Sequence, residues 1–247
     1  MMNRFKTFVF CCSMIASTFA QHFTIAQIKQ MAKAGIPMYQ NTLAKMYLHG
    51  SGVSKNYKKS LYWTMRAIHE GDRVAKANLG FYYLGGYGVK VDFKKALQYL
   101  NFGLEQNDSY AINSLGTMYQ EGDGVKQDLK KAIYYYVKSS NLGNPVAQFN
   151  LGRLLLHNRP HKAYLFYLAS AKGGLIQGLR KVAFMDEFGI GTEKSYAKAC
   201  KWFSLGARKH DKISMNGLTA LTPKMSEAQK EECRQLVQQF RMRPSTG

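Results

Sequence analysis

Acids, prolines and cysteines are all scarce in this sequence. Against 35 lysines and arginines stand only 15 aspartates and glutamates, a formal net charge of +20 over 247 residues. With so few carboxylates, solvation is the default role of each, and a catalytic pair is unpromising. Five prolines and no glycine at every third position exclude a collagen-like chain. An apolar content of 46% without low-complexity tracts or long like-charge runs excludes wholesale disorder. There is no Gly-x-Ser-x-Gly elbow and no phosphate loop ending in Gly-Lys-Ser/Thr, so neither an α/β-hydrolase nor a P-loop nucleotidase is expected. Nor does any apolar run reach the roughly 20 residues of a comfortable membrane span.

The longest uncharged apolar stretch runs from Phe8 to Phe19, after Arg4 and Lys6, and closes as Thr18-Phe19-Ala20. That is the pattern of a secretory signal peptide over residues 1–20. Phe10 stands before Cys11, where a lipidation site needs a small residue. The chain is therefore expected to be exported, periplasmic or secreted, and soluble once cleaved. Cleavage removes two bases and no acid, so the net charge falls from +20 to +18. It leaves two of four cysteines, Cys200 and Cys233, compatible with one disulfide or with two buried free thiols.

A repeat organises the rest. Gly50-Ser51-Gly52-Val53, Gly86-Tyr87-Gly88-Val89 and Gly122-Asp123-Gly124-Val125 are spaced by 36 residues, and Gly189-Ile190-Gly191-Thr192 falls in the same frame after one shortened unit. Tyr47, Tyr83 and Tyr119 precede the turns, and Trp63, Tyr99, Tyr135 and Trp202 follow them. Leu79-Gly80, Leu115-Gly116 and Leu151-Gly152 form another column. Each unit reads as two helices joined at a glycine turn, with Asp92 and Asp128 as N-caps of second helices. The aromatic columns recur with the structural period, which marks them as core.

These residues resemble the Sel1-like repeat family, a relative of the tetratricopeptide repeat, over about residues 36–211. The resemblance implies an all-α fold, an α/α solenoid of five helix pairs, the fourth shortened and the fifth divergent. Residues 21–35 then form an N-terminal capping helix, and residues 212–247 a partial repeat and a final helix starting at Thr222-Pro223. The family implies a scaffold for a protein or peptide partner, and its exported bacterial members imply envelope or host-contact roles. The alternative it implies is binding of cell-wall material or weak β-lactam hydrolysis. The relatives reported for that carry a cysteine pair in each repeat, which this chain lacks.

No catalytic, cofactor-binding or metal-binding residue is expected. His157 and His161 have the i, i+4 spacing of a metal pair, but Pro160 breaks a helix between them and no third ligand is near. Two surfaces remain. Lys59, Lys95, Lys131, Lys162 and Lys198 recur near the starts of second helices, as a basic stripe facing solvent or an anionic envelope or host surface. Nucleic acid is not expected, since export and the absence of a reading motif oppose it. Thr42, Asn78, Ser114, Asn150 and Lys181 recur on the first helices, as a partner groove or as locally bonded polar residues.

Overall fold

A computed structural model describes residues 23–240. The signal peptide expected over residues 1–20 lies outside the described residues. Among the described residues there are thirteen α-helices, one 3-10 turn and no strand. The chain divides into two compact units, one ending at Phe102 and the other beginning at Gly103.

The first unit holds α1 (Ile25–Lys33), α2 (Pro37–His49), α3 (Tyr57–His69), α4 (Arg73–Gly85) and most of α5 (Phe93–Glu105). Helices α1 to α4 pack each on the next. The second unit holds α6 (Ser109–Glu121), α7 (Leu129–Asn141), α8 (Pro145–Leu155), α9 (Pro160–Lys172), α10 (Ile176–Phe188), α11 (Tyr196–Ala207), α12 (Lys212–Leu221), the 3-10 turn Thr222–Lys224 and α13 (Glu227–Gln239). Here α6 to α12 again pack each on the next, and α13 lies on α11. The fold class is all-α, of consecutive helix pairs, as the periodicity predicts.

The two glycines of each turn do different work. Gly86 and Gly189 end their helices with φ of 68° and 71°, a left-handed cap that glycine adopts without strain. The second glycine is a seat. A Cβ on Gly88 would stand 2.8 Å from the carbonyl oxygen of Tyr57, at the start of α3, and one on Gly191 would strike the carbonyl of Pro160, at the start of α9. These two turns therefore rest on the second helix of the preceding repeat. Second helices then start on side-chain caps. Asn56, Asp92, Asp128 and Ser195 accept the backbone N–H of Lys59, Lys95, Lys131 and Lys198.

The glycine of each Leu-Gly pair admits a large side chain. A Cβ on Gly80 would stand 2.7 Å from Leu100 Cγ, one on Gly116 2.7 Å from the Tyr136 ring, and one on Gly152 2.8 Å from the Tyr167 ring. Tyr136 and Tyr167 are among the largest fully buried side chains. Small residues on the second helices complete the fit. Ala132 and Ala163 are completely buried, while Ser139 and Ser170 donate their hydroxyls to the carbonyls of Ser109 and Pro145.

The C-terminal end departs from the sequence reading. Thr222-Pro223 winds into the 3-10 turn, and the last helix starts only at Glu227. Ser226 decides this, because its hydroxyl accepts the Gln229 N–H while the Gln229 side chain accepts the Ser226 N–H, a full capping box. Cys200 and Cys233 are joined by a disulfide with Cα atoms 5.9 Å apart, which fastens α13 to α11. Phe240 adds an edge-on contact with Trp202, ring centroids 5.1 Å apart.

Candidate functional site

The first helices carry the polar column expected to form a groove, and most of it is occupied by the scaffold itself. Thr42 donates its hydroxyl to the Met38 carbonyl at 2.8 Å, and Ser114 donates to the Tyr110 carbonyl at 3.0 Å. Asn78 Nδ2 donates to Asn41 Oδ1 at 3.3 Å, and Asn150 Nδ2 donates to Asn113 Oδ1 at 3.1 Å. Each of these amide bonds links one repeat to the repeat before it. Lys181 differs. Its Nζ lies 5.6 Å from the Phe184 ring centroid and 5.9 Å from that of Tyr167, and none of the described ion pairs includes it.

What the sequence reading missed lies one turn earlier on the same helices. Met38, Val74 and Tyr110, with Ile213 in the partial repeat, hold one repeat position and are 43%, 47%, 44% and 56% exposed. The signal was present in part, because the column reads Met38, Val74, Tyr110, Val146, Gln177 and Ile213, apolar at five of six positions, on the side opposite the buried Leu-Gly column. Leu43, Leu79 and Leu115 are nearly inaccessible by contrast. Each unit therefore presents an apolar line beside its polar one.

In the second unit this face deepens into a cavity of about 630 Å³ between α8, α10 and α12. Phe149, Lys181, Phe184, Ile213 and Ala220 form its walls, and Phe203 of α11 forms its floor. Phe203 reaches that position because residue 217 is glycine, where a Cβ would stand 2.5 Å from the ring. Arg180 also lines the cavity, but its guanidinium makes a two-point ion pair with Asp211, which in turn caps α12 by accepting from Ser214. The guanidinium holds the Asp211 carboxyl well below the usual carboxylate range. Arg180 is thus neutralised within the fold, and Lys181 is the cation the cavity offers.

The lysine column has its own partners. The Nζ atoms of Lys59, Lys95 and Lys131 lie 5.6, 5.3 and 5.1 Å from the ring centroids of Tyr47, Tyr83 and Tyr119. Tyr83 stacks on Tyr99 and Tyr119 on Tyr135. Lys162, on the shortened repeat, is exposed with no such ring contact among the described residues. In the fifth repeat the ring is replaced by Asp186, which is completely buried. Its Oδ1 accepts from the Tyr164 hydroxyl at 3.0 Å, while Oδ2 has no hydrogen-bond partner. Burial pushes the Asp186 carboxyl up to about 6, against the pull of the Tyr164 hydrogen bond and the charge of Lys198. Tyr164 is pushed up to about 12, by burial first and by Asp186 second.

Among the described residues no group of three His, Cys, Asp or Glu side chains is placed to hold a metal ion. His161 lies with Nδ1 2.9 Å from the Gly191 carbonyl, a contact that fixes the fifth turn on α9. A second cavity of about 430 Å³ lies against the disulfide. Two of the bases lining it, Lys230 and Arg234, are paired with Glu227 and Glu231. No helix among the described residues is long and apolar enough to cross a membrane.

No curated protein matches the sequence. Among solved structures, a Sel1 repeat protein from Oxalobacter formigenes is 23% identical with a TM-score of 0.61, over 90% of this chain and 92% of that one. An immunity protein from Pseudomonas aeruginosa is 17% identical with a TM-score of 0.54, over 80% of this chain and 81% of that one. A protective antigen present in uropathogenic Escherichia coli strains, displaying an SLR fold, is 23% identical over 87% of this chain, with a TM-score of 0.44. The chain spans 55% of that antigen's length. At these identities the likeness to the Oxalobacter and Pseudomonas proteins is one of fold. The Sel1 repeat family itself matches five consecutive stretches, residues 37–72, 74–108, 109–144, 145–175 and 176–211, and on these five repeats and the helix pairs they form, the chain belongs to the Sel1 repeat family.

Proposed function

We propose that this protein is an exported, non-catalytic scaffold that holds a protein partner on the faces of its first helices, at the bacterial envelope or in contact with a host. The observation that carries the reading is the repeated exposure of Met38, Val74, Tyr110 and Ile213 at one repeat position. Solvent-facing apolar side chains that recur in frame are costly to leave bare and mark interaction surfaces. Sel1 repeats are a scaffold fold generally associated with protein interaction, which supports the same reading. Export rests on the leader pattern of residues 1–20. The polar column is a supporting surface, since Asn78 and Asn150 already bind Asn41 and Asn113.

Affinity capture from envelope and host extracts, followed by mass spectrometry, tests the proposal. The wild-type chain is expected to retain a protein that is lost with Met38→Glu/Val74→Glu, with Tyr110→Glu/Ile213→Glu, or with both. These four residues are exposed, so the fold should survive, as circular dichroism will show. Capture indifferent to both pairs would remove the assignment of the face. Amino-terminal sequencing of the protein recovered from culture fractions tests export, with Gln21 the expected first residue. A nitrocefin assay tests the hydrolytic alternative, for which no turnover is expected.

A further inference from the structure

Resting on the interaction reading above, we infer that the cavity between α8, α10 and α12 receives an acidic peptide segment of the partner. One aromatic or branched aliphatic side chain enters beside Phe184 and Ile213, and a neighbouring carboxylate meets Lys181. The size of the cavity, its lining and its charge point the same way. About 630 Å³ is ample for such an anchor, and lies within the usual range of ligand sites. Phe149, Phe184, Phe203 and Ile213 give the anchor apolar walls and floor, and Phe184 and Ile213 are 44% and 56% exposed without it. Buried aromatic anchors carry most of the energy in interfaces of this kind.

Charge selects the sign of the partner. The acids near the cavity are already committed: Asp211 to Arg180, and Glu187 to Lys224. Lys181 is committed to no carboxylate among the described residues, and its contacts with the Phe184 and Tyr167 rings hold the ammonium beside the apolar wall. Arg153, exposed on α8 at the position equivalent to Phe184 on α10, is likewise in none of the described ion pairs. An incoming carboxylate therefore gains attraction without displacing an internal partner, whereas a basic segment meets uncompensated repulsion within a chain of net charge +20.

The test is selection from a random twelve-residue peptide display library against the purified full chain, followed by fluorescence anisotropy with the enriched peptides. Enriched sequences are expected to place Phe, Tyr, Trp, Leu or Ile within a few residues of Asp or Glu. Lys181→Glu and Ala220→Trp should each weaken binding about tenfold. Ala220 is exposed, so a bulky residue there blocks the cavity from outside. Met65→Glu, at an exposed position on α3 in the other unit and outside the proposed face, should leave binding unchanged. Basic consensus sequences, no enrichment, or binding indifferent to both cavity variants would overturn the inference. Peptides lost with Met65→Glu alone would also overturn it while sparing the scaffold reading, which the extract capture tests separately.

Discussion

His210 sits in a left-handed backbone conformation, φ +58°, and so does Asn107, φ +54°. Gly35, Gly71, Gly143 and Gly174 fill the equivalent position at the ends of other repeats, with φ between 82° and 88°. A side chain in that region crowds its own backbone. His210→Gly should therefore raise stability by about 1 kcal/mol, read from the denaturant midpoint at unchanged slope. Asp186 makes a second prediction. Its folded pKa of about 6 lies above the ordinary 3.8, so the folded state holds the proton more tightly than the unfolded chain. Stability should accordingly rise as pH falls from above 6 towards 3.8, and the cost of the buried charge is complete above about 6. Asp186→Asn keeps an acceptor for Tyr164 and should stabilise the protein by about 2 kcal/mol at pH 8. That advantage should vanish below pH 4, which denaturation midpoints across pH will check. The sequence shows aspartate at 186, in frame with Tyr47, Tyr83 and Tyr119. What it could not convey is that the replacement is sealed inside, because burial depends on neighbours from three helices.

At the scale of helices, the Leu-Gly pairs make the sharpest test. Alanine is the better helix former by about 1 kcal/mol, so Gly116→Ala would stabilise an isolated helix. In the protein the added methyl meets the Tyr136 ring at 2.7 Å, in a core with no room to yield. Overpacking should win, with a net loss of about 1–3 kcal/mol in chemical denaturation. In the first repeat the equivalent residues are Ala44 and Thr64, a larger residue on the first helix and a smaller one on the second. The last helix depends on its covalent tie. Cys233→Ser releases a crosslink between residues 33 apart, a loss of about 3–4 kcal/mol on chain-entropy grounds. Limited proteolysis should then cut within 227–239 before any other helix. The helix pairs were legible because glycine turns, caps and apolar spacing all agree. The start of α13 was not, since Thr222-Pro223 and Ser226 offer competing local signals and only the reciprocal bonds with Gln229 decide between them.

For the whole chain, the repeat count and fold class could be read from the sequence, because a frame of 36 residues, shortened once in the fourth repeat, aligns the columns. The interaction face was legible only in part. Its polar residues stood out by chemistry, yet Asn41 and Asn113 take up two of them, and no periodicity reveals a hydrogen bond between neighbouring repeats. The cavity was invisible, since it arises where Gly217 lets Phe203 through beneath Ile213. The seating of Gly88 on Tyr57, and of Gly191 on Pro160, gives assembly a direction. Both turns meet backbone of the repeat before them. A polypeptide emerging amino-terminus first, from a ribosome or a translocation pore, therefore has these two docking places in hand before the turns that use them arrive. Growth can proceed vectorially, with no wait for distant sequence to appear.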